Sequence, residues 1–64
     1  MIFELYTIKD KLAEEYGPTF QAKNRAVADR NYNKMLTEQN LNPEEYHLEK
    51  VGSFDNQTGT LTTI

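Results

Sequence analysis

Three cationic side chains stand at spacings that place them on one face of a predicted helix. The segment from about residue 24 to 39 contains helix formers and neither glycine nor proline. At about 100° per residue, Arg30 and Lys34 fall on the face opposite its apolar residues, and Lys23 precedes the helix on the same side. Lysine and arginine in such a row can bind phosphate groups. The spacing therefore indicates a basic stripe that faces solvent.

Two aromatic residues and two further cations accompany this basic stripe. Tyr16 and Phe20 lie in the segment before the helix, where they could stack on nucleic-acid bases, and Lys11 and Arg25 flank the stripe. Cations with nearby aromatic rings are the combination that binds single-stranded nucleic acid. The alternative interpretation is a solvated helix face whose charges only keep a small protein soluble.

The residue combinations typical of enzymes are not visible. His47 is the only imidazole, and its place in a predicted strand favours a surface or packing role. Glu14 and Glu15 are neighbours in sequence, as are Glu44 and Glu45, so the members of each pair point in different directions. There is no cysteine. We therefore expect a non-enzymatic binding protein with no metal and no cofactor.

The net charge of −3 is unevenly distributed along the chain. Residues 9–34 carry six basic and four acidic groups, whereas residues 35–64 carry one basic and five acidic groups. An anion-binding surface is thus expected in the first half. The second half supports a rival hypothesis, in which the protein binds and inhibits another protein through negative charge, for instance as a mimic of DNA. The residues available for that role are Glu38, Glu44, Glu45, Glu49 and Asp55.

The length predicts one domain, 1–64, with a small core. At 64 residues, folding buries only about 60% of the surface that the unfolded chain exposes. Because residues 2–8 are also apolar on both faces of a predicted strand, we expect a homodimer. The opening segment MIFELYTI is too short to cross a membrane and lacks a basic leader. We expect a cytoplasmic protein that does not contact membranes.

The pattern of apolar residues predicts an α+β fold. Residues 2–8 alternate as a strand, residues 10–20 form a structured connection, and Asn24 is a suitable N-cap for the helix. The helix should bury one face, which consists of Ala28, Tyr32, Met35 and Leu36.

A predicted hairpin follows the helix. A second strand spans about 46–54, and the phase of its apolar residues changes near Lys50 to Gly52, which indicates a β-bulge. A turn at 55–59 leads to a last strand from Thr60. The expected architecture is a three-stranded antiparallel sheet with one helix packed on one face, in the order β-α-β-β.

Three segments carry a resemblance to a known family. The first lies between Tyr6 and Phe20 and contributes Asp10, Ala13, Tyr16, Pro18 and Phe20. The second contributes Asn24, Ala28, Arg30 and Tyr32. The third, PEEYHLEKVGSFDNQTG, is the most specific and contributes Pro43, Tyr46, Leu48, Gly52, Phe54, Asp55, Thr58 and Gly59. Together they resemble the small nonstructural protein of gokushovirus-type microviruses, which are phages with circular single-stranded DNA genomes.

The resemblance implies a nonstructural phage protein in the host cytoplasm that binds DNA. Its implied role is to assist genome replication or the switch to packaging of single strands. Two positions depart from the family pattern, because Leu12 stands where a lysine is expected and Arg25 where an acidic residue is common. Single-stranded DNA is therefore the partner expected for the basic stripe, beside the rival host-protein partner.

Overall fold

The structure, a computed structural model, describes residues 1–64 as one α-helix and a five-stranded antiparallel sheet. Its elements in chain order are β1 (Ile2–Asp10), β2 (Glu15–Tyr16), β3 (Phe20–Ala22), α1 (Arg25–Glu38), a 3-10 turn (Pro43–Glu45), β4 (Tyr46–Asp55) and β5 (Thr60–Thr63). The α+β class, the helix and the three longer strands are confirmed. The three-stranded sheet and the β-α-β-β order are wrong, because β2 and β3 precede the helix.

The two additional strands arise where the predicted connection folds back on β1. The Gly17 amide donates to the Ile8 carbonyl over 2.9 Å, and the Thr7 hydroxyl donates to the Gly17 carbonyl over 2.9 Å. These bonds hold the chain against β1, so that β2 and β3 both pair with it. Strands of two and three residues are too short to show an alternating apolar pattern.

Strand β1 is central, with β2 and β3 on one side and β4 on the other, and β5 forms the far edge beside β4. The predicted bulge is confirmed in β4. Leu5 pairs with Gly52 and Tyr6 pairs with Lys50, which leaves Val51 as the additional residue. Side chains before the bulge and after it therefore alternate in opposite phase.

Helix α1 packs against β1 and β3 and covers one face of the sheet. The Asn24 side chain accepts a hydrogen bond from the Val27 amide over 3.0 Å, so the predicted N-cap is confirmed. Of the four residues expected to be buried on the helix, Ala28 and Leu36 are buried, whereas Tyr32 and Met35 are half-buried. The small core consists of Tyr6, Ala22, Ala28 and Leu48.

No element covers the other face of the sheet. Phe3 pairs with Phe54, which pairs in turn with Leu61, and Leu5 is on the same face as Phe3. Leu61 is exposed and the other three are half-buried. We call these four residues the outer patch.

The single α-helix is neither long enough nor apolar enough to cross a membrane.

Candidate functional site

The basic stripe has the exposure that its spacing predicts. Lys23 lies in the bend between β3 and α1, Arg30 and Lys34 lie on α1, and all three are exposed. Lys34 forms an ion pair with Glu38 at 3.9 Å. Lys23 and Arg30 have no carboxylate within 4.0 Å. At least two cations of the stripe are thus free to bind an anion.

The two flanking cations differ from the stripe in their surroundings. Arg25 pairs with Asp29 at 3.1 Å, and its guanidinium lies 5.7 Å from the centre of the Tyr6 ring, so it points toward the sheet. Lys11 follows the end of β1, and its amide donates to the Glu45 carbonyl over 2.8 Å. The other end of β1 pairs with β3, and β3 leads directly to Lys23. Lys11 and Lys23 therefore lie near opposite ends of β1.

The two candidate stacking residues also differ. Phe20 is half-buried, and its ring stacks on that of Tyr6 with centroids 6.1 Å apart and an interplanar angle of 29°. Tyr16 is 56% exposed, and the Lys9 ammonium lies 5.4 Å from its ring centre. Tyr16 therefore has a free aromatic surface beside a cation, whereas most of the contact area of Phe20 is used within the protein.

The most buried aromatic residue, Tyr6, was not predicted as part of the core. Its hydroxyl donates to the Glu4 carboxylate, which also accepts a bond from the Lys50 ammonium at 3.4 Å. Burial, aided by the hydrogen bond to Glu4, raises the pKa of Tyr6 to about 12. The same hydrogen bond, with a smaller contribution from Lys50, lowers the pKa of Glu4. This network lies beside the start of α1 and closes that end of the core.

A groove opens at the other end of α1, and it was not predicted. It has a volume of about 430 Å³. The apolar residues that line it come from β1, β2, the connection between β2 and β3, β3, α1, the loop after it and β4, and they are Ile8, Tyr16, Pro18, Phe20, Met35, Leu41 and Tyr46. Asp10 and Glu15 also line the groove. Since seven segments build it, no periodicity within one segment could reveal it.

The histidine and the acidic residues do not form a metal site. No group of three or more histidine, aspartate or glutamate side chains is arranged to hold a metal ion. His47 is exposed on β4 and its Nε2 lies 3.8 Å from a carboxylate oxygen of Glu49. The arrangement on the surface is thus one row of cations on a helix and one apolar groove with carboxylates beside it.

Fold and surface together describe a small α+β protein with an exposed basic stripe and an apolar groove. The family model described as "Phage ORF5 protein" matches residues 3–64, and the chain belongs to this family. No curated protein and no solved structure matches the chain.

Proposed function

We propose that this phage protein binds single-stranded DNA, without sequence preference, through the basic stripe. The observation that carries the proposal is that Lys23 and Arg30 are exposed on one side of the helix and are free of carboxylate partners. Such cations neutralise phosphates and release counterions, which is the main source of non-specific affinity. The membership in a phage family and the resemblance to proteins of single-stranded DNA phages both support this ligand.

Within this proposal, Tyr16 is the best candidate for stacking on a base, because its ring is exposed. Phe20 and Arg25 contribute less, since both already contact Tyr6. Lys11 lies at the same end of β1 as Tyr16, away from Lys23, so it would contribute only where the DNA strand reaches Tyr16. The protein acts in the host cytoplasm, without catalysis, and assists replication of the genome or its packaging.

The proposed binding form is a homodimer joined through the outer patch. Phe3, Leu5, Phe54 and Leu61 form an apolar surface without a covering element, on the face of the sheet opposite α1. A dimer joined there presents its two basic stripes on opposite outer surfaces. Sedimentation at tens of micromolar tests this: the dimer mass is expected, and Leu61→Ser should shift it toward the monomer. A monomer mass throughout would refute the dimer.

The rival function is binding of a host protein through the acidic residues. The structure spreads these residues along β4, because Glu44 and Glu45 precede it and Asp55 ends it about 30 Å away. Glu38 pairs with Lys34, and Glu49 lies beside His47. They do not form one continuous row, so this hypothesis is the weaker of the two.

Fluorescence anisotropy with a labelled oligothymidine at low salt separates the two functions. The proposed function predicts binding that weakens strongly as salt rises. A protein that imitates DNA would not bind the oligonucleotide at any salt concentration, and that result would favour the host-protein hypothesis. A duplex of the same length is the control for preference between single and double strands.

A further inference from the structure

The groove at the C-terminal end of α1 has the dimensions of a ligand site. Its volume of about 430 Å³ lies within the range of pockets that bind ligands. A second, apolar pocket of about 300 Å³ lies beside it and shares Ile8, Phe20 and Met35. The two are therefore adjacent, and both lie between the helix and the sheet. A side chain of leucine or tryptophan size would remove apolar surface of these residues from water.

Two carboxylates stand side by side where the groove meets the sheet edge. Asp10 on β1 pairs directly with Glu15 on β2, so both side chains lie on the helix face of the sheet. Like charges at directly opposite positions destabilise a sheet. Neither carboxylate has a cationic partner within 4.0 Å. The fold therefore keeps an unfavourable pair that a bound cation would relieve.

The end of the helix adds further negative character to the same place. No basic residue lies in the last turn of α1, and Glu38 at the end of the helix pairs with Lys34 from the preceding turn. The last carbonyls of a helix carry a partial negative charge. Gln39, the C-cap residue, also lines the groove. The Lys9 ammonium beside Tyr16 is the one cationic group that the structure places against the side chain of a lining residue, and the charged residues that line the groove are both acidic. The groove lining therefore favours a cation over a phosphate.

We propose that this groove binds a cationic protein segment, which inserts an apolar or aromatic side chain between α1 and the sheet and places a lysine or arginine against Asp10 and Glu15. Charge complementarity selects this occupant over nucleic acid, whose phosphates the two carboxylates repel. The groove opens beside the C-terminal half of α1, and the stripe begins at Lys23, before the helix. The cations of the stripe do not line the groove, whereas Tyr16 does, so the two proposed sites share only the aromatic residues Tyr16 and Phe20.

The probe that tests this site is a short labelled peptide with leucines on one helical face and lysines on the other. Two matched peptides serve as controls, one with glutamate in place of lysine and one with serine in place of leucine. The lysine peptide should bind at least about ten-fold more tightly than either control, because one lacks the charge and the other lacks the apolar anchor. Equal binding of the glutamate peptide would overturn the proposal.

Substitutions in the protein test whether the peptide binds at this groove. Glu15→Gln should weaken peptide binding about three-fold, because it removes one of the two carboxylates that line the groove. The double variant with Asp10→Asn removes both carboxylates and should weaken peptide binding about ten-fold. Asparagine can still accept the bonds that Asp10 receives from the Leu12 and Ala13 amides. Glu49→Gln removes the same charge from the opposite face of the sheet and should leave the affinity unchanged. Equal losses for Glu15→Gln and Glu49→Gln would show non-specific attraction only.

Thermal melting separates a binding role from a structural one. Since Glu15 repels Asp10 in the free protein, Glu15→Gln should raise the melting temperature while it lowers the affinity for the peptide. If the variant instead melts lower, Glu15 stabilises the fold and the repulsion that supports the site does not exist. Met35→Ser should weaken binding of the peptide about ten-fold, because Met35 lines the groove. A well-folded variant with full affinity would show that the apolar side chain of the peptide does not insert beside Met35.

Discussion

The basic stripe and the groove lie on the same helix but are built differently. The stripe needs only the period of α1 and the bend before it, and its side chains contact little of the protein. The groove needs seven segments, and residues such as Phe20 and Met35 divide their surface between the core and the opening. A change in the stripe should therefore alter binding without altering stability, whereas a change in the groove should alter both.

The largest expected effect comes from the buried side of the same helix. Leu36 is 6% exposed, and Leu36→Ala should lower the free energy of unfolding by about 2–5 kcal/mol. Leu12→Ala is the matched control, because Leu12 is 75% exposed and its loss should be near zero. Urea unfolding measures both. A loss below about 1 kcal/mol for Leu36 would mean that α1 is not held to the sheet as described.

A second substitution tests whether both surfaces are independent of the far edge of the sheet. A Cβ at Gly52 would collide with the Thr62 carbonyl oxygen, so Gly52→Ala should displace β5 and cost about 1–3 kcal/mol. Gly17→Ala is the control, since its Cβ would meet only the Ile8 carbonyl oxygen at an ordinary 3.5 Å. Amide exchange should quicken in β5 and stay slow in α1. Loss of protection across α1 would show that the edge strand supports both surfaces.

A smaller effect depends on pH and concerns the closed end of the core. The hydrogen bond from Tyr6 lowers the pKa of Glu4, so the folded state favours its charged form. The resulting stabilisation is present above the ordinary pKa of 4.5 and is lost as the pH falls through the lowered value. Glu4→Gln should therefore make stability less dependent on pH below about 4.5.

Asp55 also has a lowered pKa, so a substitution of Asp55 is the control for the Glu4→Gln variant. Its pKa is lowered mainly by the hydrogen bond from the Gln57 amide, with a smaller contribution from the chain's amino terminus. Part of the dependence of the free energy of unfolding on acidic pH should thus remain in the Glu4→Gln variant. That remaining part should disappear when Asp55→Asn is added. Urea unfolding at a series of pH values measures this. An unchanged pH dependence in Glu4→Gln would contradict the role given to Tyr6.

The features predicted from sequence were those that depend on residues close together in the chain. The Asn24 cap, the amphipathic helix and the bulge near Gly52 each leave a local pattern, and each is present. The strands β2 and β3 and the burial of Tyr6 depend on a connection that folds back on β1, which short strands do not reveal. The groove could not be predicted because its lining residues are distant in sequence.

If the basic stripe binds single-stranded DNA as proposed, the affinity should depend on salt in a way that the number of cations in the stripe determines. If Lys23, Arg30 and Lys34 each neutralise one phosphate, the slope of log affinity against log salt should be about −2 per subunit. Arg30→Ala with Lys34→Ala should reduce the slope to about −0.7 and change the free energy of unfolding by less than about 0.5 kcal/mol. Lys50→Gln removes a cation outside the stripe, beside Glu4, and should keep the slope of the wild type. No binding by the wild type at low salt, or an unchanged slope in the double variant, would contradict the claim.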